Sequence, residues 1–225
     1  MRKLVVTIDG PAGAGKTTVS RMLADRLGYI YIDTGALYRA VAHAVHLQAV
    51  DPEDDRSLEK LCAGLELNLV QIDGGLHLLS NGINITDQIR TPQISMLASA
   101  VSARPVVRRF LLKLQRDLGK DKGAVFEGRD MGTVVFPDAE IKFFLDATQK
   151  ARAQRRYLEL KSNNSQTRED VEKDMHKRDK NDSTRSLAPL KPADDATIID
   201  STTLSADEVV EEMLARIEEI CGYQK

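Results

Sequence analysis

Apolar residues along this chain gather in short consecutive runs separated by longer segments of helical spacing. The runs fall at Lys3–Ile8, Tyr29–Ile32, Ala124–Glu127, Ile141–Leu145 and Thr197–Ile199. Strands covered on both faces read this way, because neither side of the pleat meets water. Helical spacing lies between most of them, as at Val19, Met22, Leu23 and Leu27. Alternation of this kind predicts an α/β fold whose sheet is parallel, with right-handed crossovers. The last segment is the plainest helix. Ser205 and Glu208 have capping-box spacing, Val209, Met213, Ile217 and Ile220 form one apolar stripe, and Glu211, Glu212 and Glu218 fall on a solvated face.

Two stretches break the alternation. Glu66–Ile72 leads through Asp73-Gly74-Gly75 into Leu76–Leu79, and Asn81-Gly82 then turns into Ile83–Ile85. Asn-Gly and Asp-Gly between apolar runs carry type I′ hairpin chemistry, so a small antiparallel sheet is expected as an insertion between the second and third core strands. The other stretch, Thr148–Arg185, is polar and dense in charge, with Arg152, Arg155, Arg156, Arg168, Arg178 and Arg185 among its basic residues. Asn163-Asn164-Ser165 splits it into two helical pieces. Such a hairpin is either a solvated surface feature or a basic lid that closes over phosphate.

The stretch that decides between these readings is Gly10-Pro11-Ala12-Gly13-Ala14-Gly15-Lys16-Thr17, followed by Thr18. It stands between the first apolar run and the first helical segment, the context in which G-x-x-x-x-G-K-[ST] cradles a nucleotide phosphate. The glycines permit positive φ, so backbone amides can point inward at phosphate oxygens, and the helix that starts near Lys16 adds its N-terminal donors. Lys16 is expected on the β- and γ-phosphates and the Thr17 hydroxyl on Mg²⁺.

The 225 residues suffice for one sizeable domain with excursions, and 42% hydrophobic with 29% charged residues is an ordinary globular composition. A net charge of −2 does not point to nucleic acid or a membrane surface as partner. No apolar run approaches membrane-spanning length, the N-terminus leads at once into a strand, and Cys62 and Cys221 form no C-x-x-C pair. A cytoplasmic protein without a signal peptide is therefore expected.

Other candidates lie at predicted strand ends, where ligands bind in α/β sheets. Asp33-Thr34-Gly35-Ala36-Leu37-Tyr38-Arg39 follows the second run; Thr34 can cap a helix, while Arg39 has the fork geometry that matches phosphate oxygens. Glu127-Gly128-Arg129-Asp130 closes the third. Gly128 lets backbone approach a ligand, Arg129 and Asp130 read either as a site or as a local ion pair, and Glu127 stands where a carboxylate can hold Mg²⁺ through water. His43, His46, His77 and His176 complete no metal cluster and read as structural or surface residues.

Taken together, Ile8–Lys16, Asp33–Arg39, Ile89-Arg90-Thr91, Ser99 with Pro105–Arg108, Glu127–Pro137, Arg178–Arg185 running into Ala188-Pro189-Leu190, and Asp200–Thr203 make the chain resemble the bacterial cytidylate kinases. These are a branch of the P-loop nucleoside-monophosphate (NMP) kinases, and the likeness spans essentially the whole sequence. The resemblance implies a three-layer α/β/α P-loop core on a five-stranded parallel sheet, with an inserted antiparallel-sheet NMP-binding domain and a short helical lid. It places the core at residues 1–33, 100–147 and 190–225, the NMP-binding region at 34–99 with hairpins near 64–90, and the arginine-rich lid at 148–189. It implies ATP as donor, Mg²⁺ as metal, CMP and dCMP as acceptors, and a monomer. Ser99, Arg108 and Asp130 are then expected at the cytosine base. Arg178 and Asp182 are expected near the sugar, with Thr34 and Tyr38 in the same pocket. Arg39, Arg129 and Arg185 are expected around the phosphates, and Arg155 and Arg156 facing the donor. Thr34 stands where many relatives carry serine and Glu127 where some carry aspartate, each keeping the functional group.

The chemistry agrees with that assignment. Cytosine carries an N4 donor beside the N3 and O2 acceptors, which a carboxylate such as Asp130 and donors such as Arg108 and Ser99 can match. UMP would leave such groups unpaired, at a cost of roughly 2–5 kcal/mol. No catalytic base is required, because the accepting phosphate is already largely ionised at neutral pH. Two rivals stay open on sequence grounds: a P-loop kinase for another small acceptor, with Asp33 as base if that acceptor is a hydroxyl, and a nucleotide-gated module that hydrolyses ATP slowly.

Overall fold

The computed structural model describes residues 3–72, 75–160 and 167–222. The Asp73-Gly74 and Asn163-Asn164-Ser165 turns expected above lie outside the described residues. The chain divides into two compact units, Met1–Asp33 with Leu118–Lys225, and Thr34–Asp117.

The first unit is built on strands β1 (Val5–Asp9), β2 (Ile30–Asp33), β6 (Ala124–Glu127), β7 (Ile141–Asp146) and β8 (Thr197–Asp200). They form a five-stranded sheet in the order β2-β6-β1-β7-β8, every pair parallel. The five runs read from the sequence are these strands, displaced by a residue or two. All five residues of β1 are buried because its two faces meet different partners. On one face Val6 and Ile8 join Val125, Ile141, Phe143 and Leu145 in a core closed by Val19 and Leu23 of α1 (Lys16–Leu27) and Val209, Met213 and Ile217 of α8 (Ala206–Cys221). Thr7 and Asp9 face the other way, where a π-helical turn, Met131–Val135, packs beneath β1. The Ser205–Glu208 capping box at α8 is present on both sides of the exchange. The charge-dense stretch forms α6 (Gln149–Leu160) and α7 (Arg168–Thr184), joined by a small core of Ala153, Val171 and Met175 on which the P-loop residue Ala12 packs.

The second unit holds helices α2 (Thr34–Leu47), α3 (Asp55–Ala63), α4 (Pro92–Val101) and α5 (Pro105–Leu118), the last ending at the unit boundary. It also carries an antiparallel sheet of β3 (Leu67–Ile72), β4 (Gly75–Ser80) and β5 (Ile83–Asn84). Asn81 and Gly82 adopt φ of 48° and 79°, the two positive values that a type I′ turn requires. Residues 100–117, counted with the P-loop core on sequence, cluster here; Val107 and Leu111 of α5 bury completely.

Gly10 shows why the chain leaves β1 as it does. Its φ is 147°, and a Cβ placed there would stand 2.0 Å from the Leu145 carbonyl oxygen of β7. Gly10→Ala is therefore expected to cost about 3 kcal/mol or more of unfolding free energy, combining backbone strain with a backbone clash. Denaturant unfolding measures this; a loss below about 1 kcal/mol would mean that β7 yields at this point.

Candidate functional site

In the first unit the site grows from the end of β1. Gly10, Gly13 and Gly15 all take positive φ, which curls the loop ahead of α1. Lys16 begins that helix, buried, with its ammonium donating to the Pro11 carbonyl at 2.7 Å. Burial pushes Lys16 down from 10.5 to about 7; Arg129 pushes the same way next, then Glu127 opposes and Arg178 adds. A lysine depressed by burial first, and by neighbouring arginines in addition, marks a place where cations converge and an anion would be welcome.

The arginines come from two elements. Arg129, just past β6, donates through Nε to Asp182 of α7 at 3.1 Å and through Nη1 to the Gly128 carbonyl at 3.2 Å. Arg185, past the end of α7, approaches Asp130 at 3.6 Å and donates to the Ala188 carbonyl at 2.7 Å. Arg178 stands 3.9 Å from Asp182. Arg129 and Asp130 thus pair across to the α7 segment, with Asp182 and Arg185 respectively. Both acidic partners are almost completely buried. Arg178 and Asp182 share one side of the last turns of α7 because positions four apart recur on one helical face, and Arg185 follows as the extended residue that caps the helix.

Arg155 and Arg156 separate. Arg155 donates to the Ser201 hydroxyl and carbonyl at 3.0 and 2.5 Å, with a longer contact of 3.4 Å to the Ala14 carbonyl of the P-loop. Arg156 pairs with Glu159 on the surface of α6. Thr17 and Thr18, in the first turn of α1, are exposed. The Thr17 hydroxyl donates to Glu127 at 2.9 Å. The other carboxylate oxygen of Glu127 accepts from Tyr31 at 2.6 Å. Burial, then the negative charge of Glu127, raises Tyr31 far above its usual range, so its hydroxyl stays a donor.

The second unit gathers Thr34, Tyr38, Arg39, Ser99 and Arg108. Thr34 opens α2 and is buried. The Arg108 guanidinium lies 5.7 Å from the Tyr38 ring centroid and donates to the Ser102 carbonyl at 3.1 Å. Ser102 in turn donates to the Ser99 carbonyl at 2.8 Å. The Ser99 hydroxyl is buried with no hydrogen-bond partner among the described residues, as a donor or acceptor reserved for a ligand would be. Thr91 acts locally, its hydroxyl capping α4 by accepting from Ile94 at 3.2 Å. Of the histidines, His43 is buried while His46 and His176 are exposed, and no metal-binding group of three His, Cys, Asp or Glu occurs among the described residues.

Three residues carry more of this arrangement than their sequence context suggests. Asp9, at the end of β1, accepts from the backbone amides of Met131 and Gly132 at 2.9 and 2.8 Å and so fixes the segment that carries Arg129 and Asp130. Arg152, buried, donates to the carbonyls of Ala147 and Ala12 at 2.9 and 3.1 Å and to Asp179 at 2.6 Å, joining the P-loop to α6 and α7. The Ser201 hydroxyl meets the carbonyls of Ala14 and Asp146, each at 3.0 Å. The signal for Asp9 is an acidic residue closing an apolar strand; Arg152 is one arginine among many.

Comparison with known proteins follows this geometry. The family model described as Cytidylate kinase matches residues 6–219. The cytidylate kinase of Geobacter sulfurreducens is 51% identical over 219 residues, covering 97% of this chain and 94% of that protein. The cytidylate kinase of Syntrophotalea carbinolica is 48% identical over 232 aligned positions, covering 100% and 97%. Among solved structures, an uncharacterized protein from Eubacterium ventriosum superposes with a TM-score of 0.55 at 12% identity, over 96% of this chain and 99% of that one, a likeness of fold alone.

Asp9 yields a test. Burial raises it from 3.8 to about 6, opposed by the Gly132 and Met131 amides, with Asp130 raising it further and Lys16 lowering it. Between those values the folded state holds more protons than the unfolded state. The stability that Asp9 contributes is thus full below 3.8 and is lost as pH rises through 6. Relative to wild type, Asp9→Asn should gain up to about 3 kcal/mol as pH rises from about 4 to 7, on top of a constant loss from its poorer acceptor. Denaturant unfolding across that range reads the slope; a flat difference would mean that Asp9 titrates normally.

Proposed function

Because this chain belongs to the cytidylate kinase family, a phosphotransferase family, we propose that it transfers the γ-phosphoryl of ATP to CMP and dCMP through the residues assembled above. The observation that carries the residue assignment is the P-loop Lys16, lowered by its burial and further by the charges of Arg129 and Arg178. Like charges held this close favour binding of a polyanion, which relieves their mutual repulsion.

In this reading the backbone amides of Gly13 through Thr18 cradle the donor phosphates, and Lys16 neutralises charge on the transferring group. Arg129, Arg178 and Arg185 neutralise the charge that moves between donor and acceptor. Their pairing with Asp130 and Asp182 holds each guanidinium in place beforehand, so little reorganisation is needed when substrate arrives. Arg39 is assigned to the acceptor phosphate, and Thr34 and Tyr38 to the nucleotide pocket of the second unit. There, Ser99 and Arg108 offer donors for the cytosine acceptors, and Tyr38 supports the Arg108 guanidinium. Asp130, a carboxylate paired with Arg185, offers only acceptors, which suits the N4 amino group and opposes the uracil O4. Arg155 and Arg156 are assigned to the donor side.

Mg²⁺ fits the oxygen donors at the start of α1: an exposed threonine hydroxyl, Thr17, with the Glu127 carboxylate behind it. The ion would neutralise phosphate charge, with most of its ligands coming from phosphate and water. An acceptor that is already ionised needs no base, and none is assigned. No helix among the described residues is long and apolar enough to cross a membrane. A cytoplasmic monomer that acts on small molecules, without nucleic acid, completes the proposal.

The deciding experiment is ADP formation from ATP and Mg²⁺ with CMP, dCMP, UMP, AMP, GMP or no acceptor supplied separately. Turnover with CMP and dCMP far above the rest is expected. Preference for UMP or AMP would overturn the base assignment, and acceptor-independent ADP release would overturn the transferase. A second measurement follows from Lys16. At pH 8 a group near 7 is largely neutral, and a bound polyanion draws a proton back onto it. ATP binding should therefore take up as much as about one proton, and ATP affinity should fall as pH rises through that range. Calorimetry in buffers of different ionisation heat counts the protons; zero uptake at pH 8 would show Lys16 already charged.

A further inference from the structure

One residue beside the P-loop has no part in the roles assigned so far: Tyr31, which opens the hydrogen-bond chain that runs through Glu127 to Thr17. Strands β2 and β6 pair with Tyr31 opposite Val125 and Asp33 opposite Glu127. Tyr31 therefore shares a face with Val125 and Glu127 and reaches two residues along the sheet to the glutamate. Its ring packs on the core beside α1, and the Arg21 guanidinium lies 5.2 Å from its centroid. The hydroxyl delivers its single proton to one oxygen of Glu127 at 2.6 Å. The other oxygen receives the Thr17 proton at 2.9 Å.

The orientation of that second bond matters. A threonine hydroxyl has one proton and two lone pairs. With the proton committed to Glu127, the lone pairs of Thr17 point away from the carboxylate, and Thr17 is exposed at the start of α1. A hydroxyl turned the other way would present its proton to a cation and repel it. Without the Tyr31 proton the carboxylate loses the bond at its second oxygen, and the acceptor that orients the Thr17 hydroxyl is held less firmly.

We propose that Tyr31 is a positioning residue for phosphoryl transfer: it holds the Glu127 carboxylate so that the Thr17 hydroxyl presents its lone pairs to the divalent cation that accompanies the nucleotide. The proposal rests on the kinase reading above. It separates Tyr31 from the ordinary role of an aromatic residue in a strand, because the ring supplies the packing and the hydroxyl supplies the orientation.

Tyr31→Phe keeps the ring and removes the proton. Mn²⁺ affinity of the protein–ADP complex, measured by electron paramagnetic resonance, should fall about tenfold, as for the loss of a partner that orients a metal ligand. ADP affinity without metal, measured by calorimetry, should stay within about twofold, and the melting temperature should remain near that of wild type. Glu127→Gln should also weaken Mn²⁺, and Tyr31→Phe should add little in that background, because residues acting through one another are not additive. Unchanged Mn²⁺ affinity in Tyr31→Phe, or the same loss in both backgrounds, would overturn the proposal while leaving the kinase reading intact. Failure of the wild-type protein to bind ADP would overturn the kinase reading itself.

Discussion

A buried carboxylate sets the geometry of the first unit. Asp9 ends the central strand with almost no exposure and spends its acceptors on two consecutive amides, Met131 and Gly132. A carboxyl group in that position would be costly without partners, so the amides that satisfy it cannot drift. They open the π-helical turn that follows Glu127-Gly128-Arg129-Asp130, a geometry that recurs at functional sites. The same strand runs on into Gly10, where the Leu145 carbonyl leaves no room for a side chain. Asp9 thereby ties the strand that runs into the phosphate loop to the arginine-bearing segment, alongside the Thr17–Glu127 bond.

Around that anchor, positively charged side chains differ in how they are held. Arg152 is structural: buried, and bonded to a P-loop carbonyl and to Asp179, it ties α6 and α7 to the loop. Gly13 meets the same helix pair so closely that a Cβ would lie 2.7 Å from the Arg152 carbonyl oxygen. Arg129, Arg178 and Arg185 are held by carboxylates yet remain near Lys16 or Asp130, and two of them depress the lysine. A guanidinium has five donors in a planar fork, so a carboxylate partner and further contacts can be served at once. The charge-dense hairpin is therefore not plain solvated surface, since Arg152 is buried and Asp182 is almost completely so.

The second unit uses weaker local rules. Asn81 and Gly82 set its hairpin through two positive φ values, and Thr91 starts α4 as a cap. Arg108, Tyr38, Ser102 and Ser99 then form a connected polar group on α2, α4 and the adjoining helix α5. The Ser99 hydroxyl is the member of that group that is buried without a hydrogen-bond partner among the described residues.

The sequence by itself determined the five core strands, the P-loop, the capping box of α8 and the Asn81-Gly82 turn. Each of these depends on neighbours in the chain: apolar runs, glycines that accept positive φ, and side chains that reach backbone three residues away. Family membership was equally legible, because its motifs are contiguous. Tertiary structure alone decided who pairs with whom. On adjacency Arg129 and Asp130 read either as a site or as a local ion pair, but successive side chains at a strand end diverge, and each finds its partner on α7 or just beyond. Tyr31 read as an ordinary strand former until parallel pairing with β6 set it beside Glu127. Arg152 was indistinguishable among the arginines of its segment until burial singled it out. Contacts between residues a hundred positions apart depend on strand order and register, which no local pattern encodes.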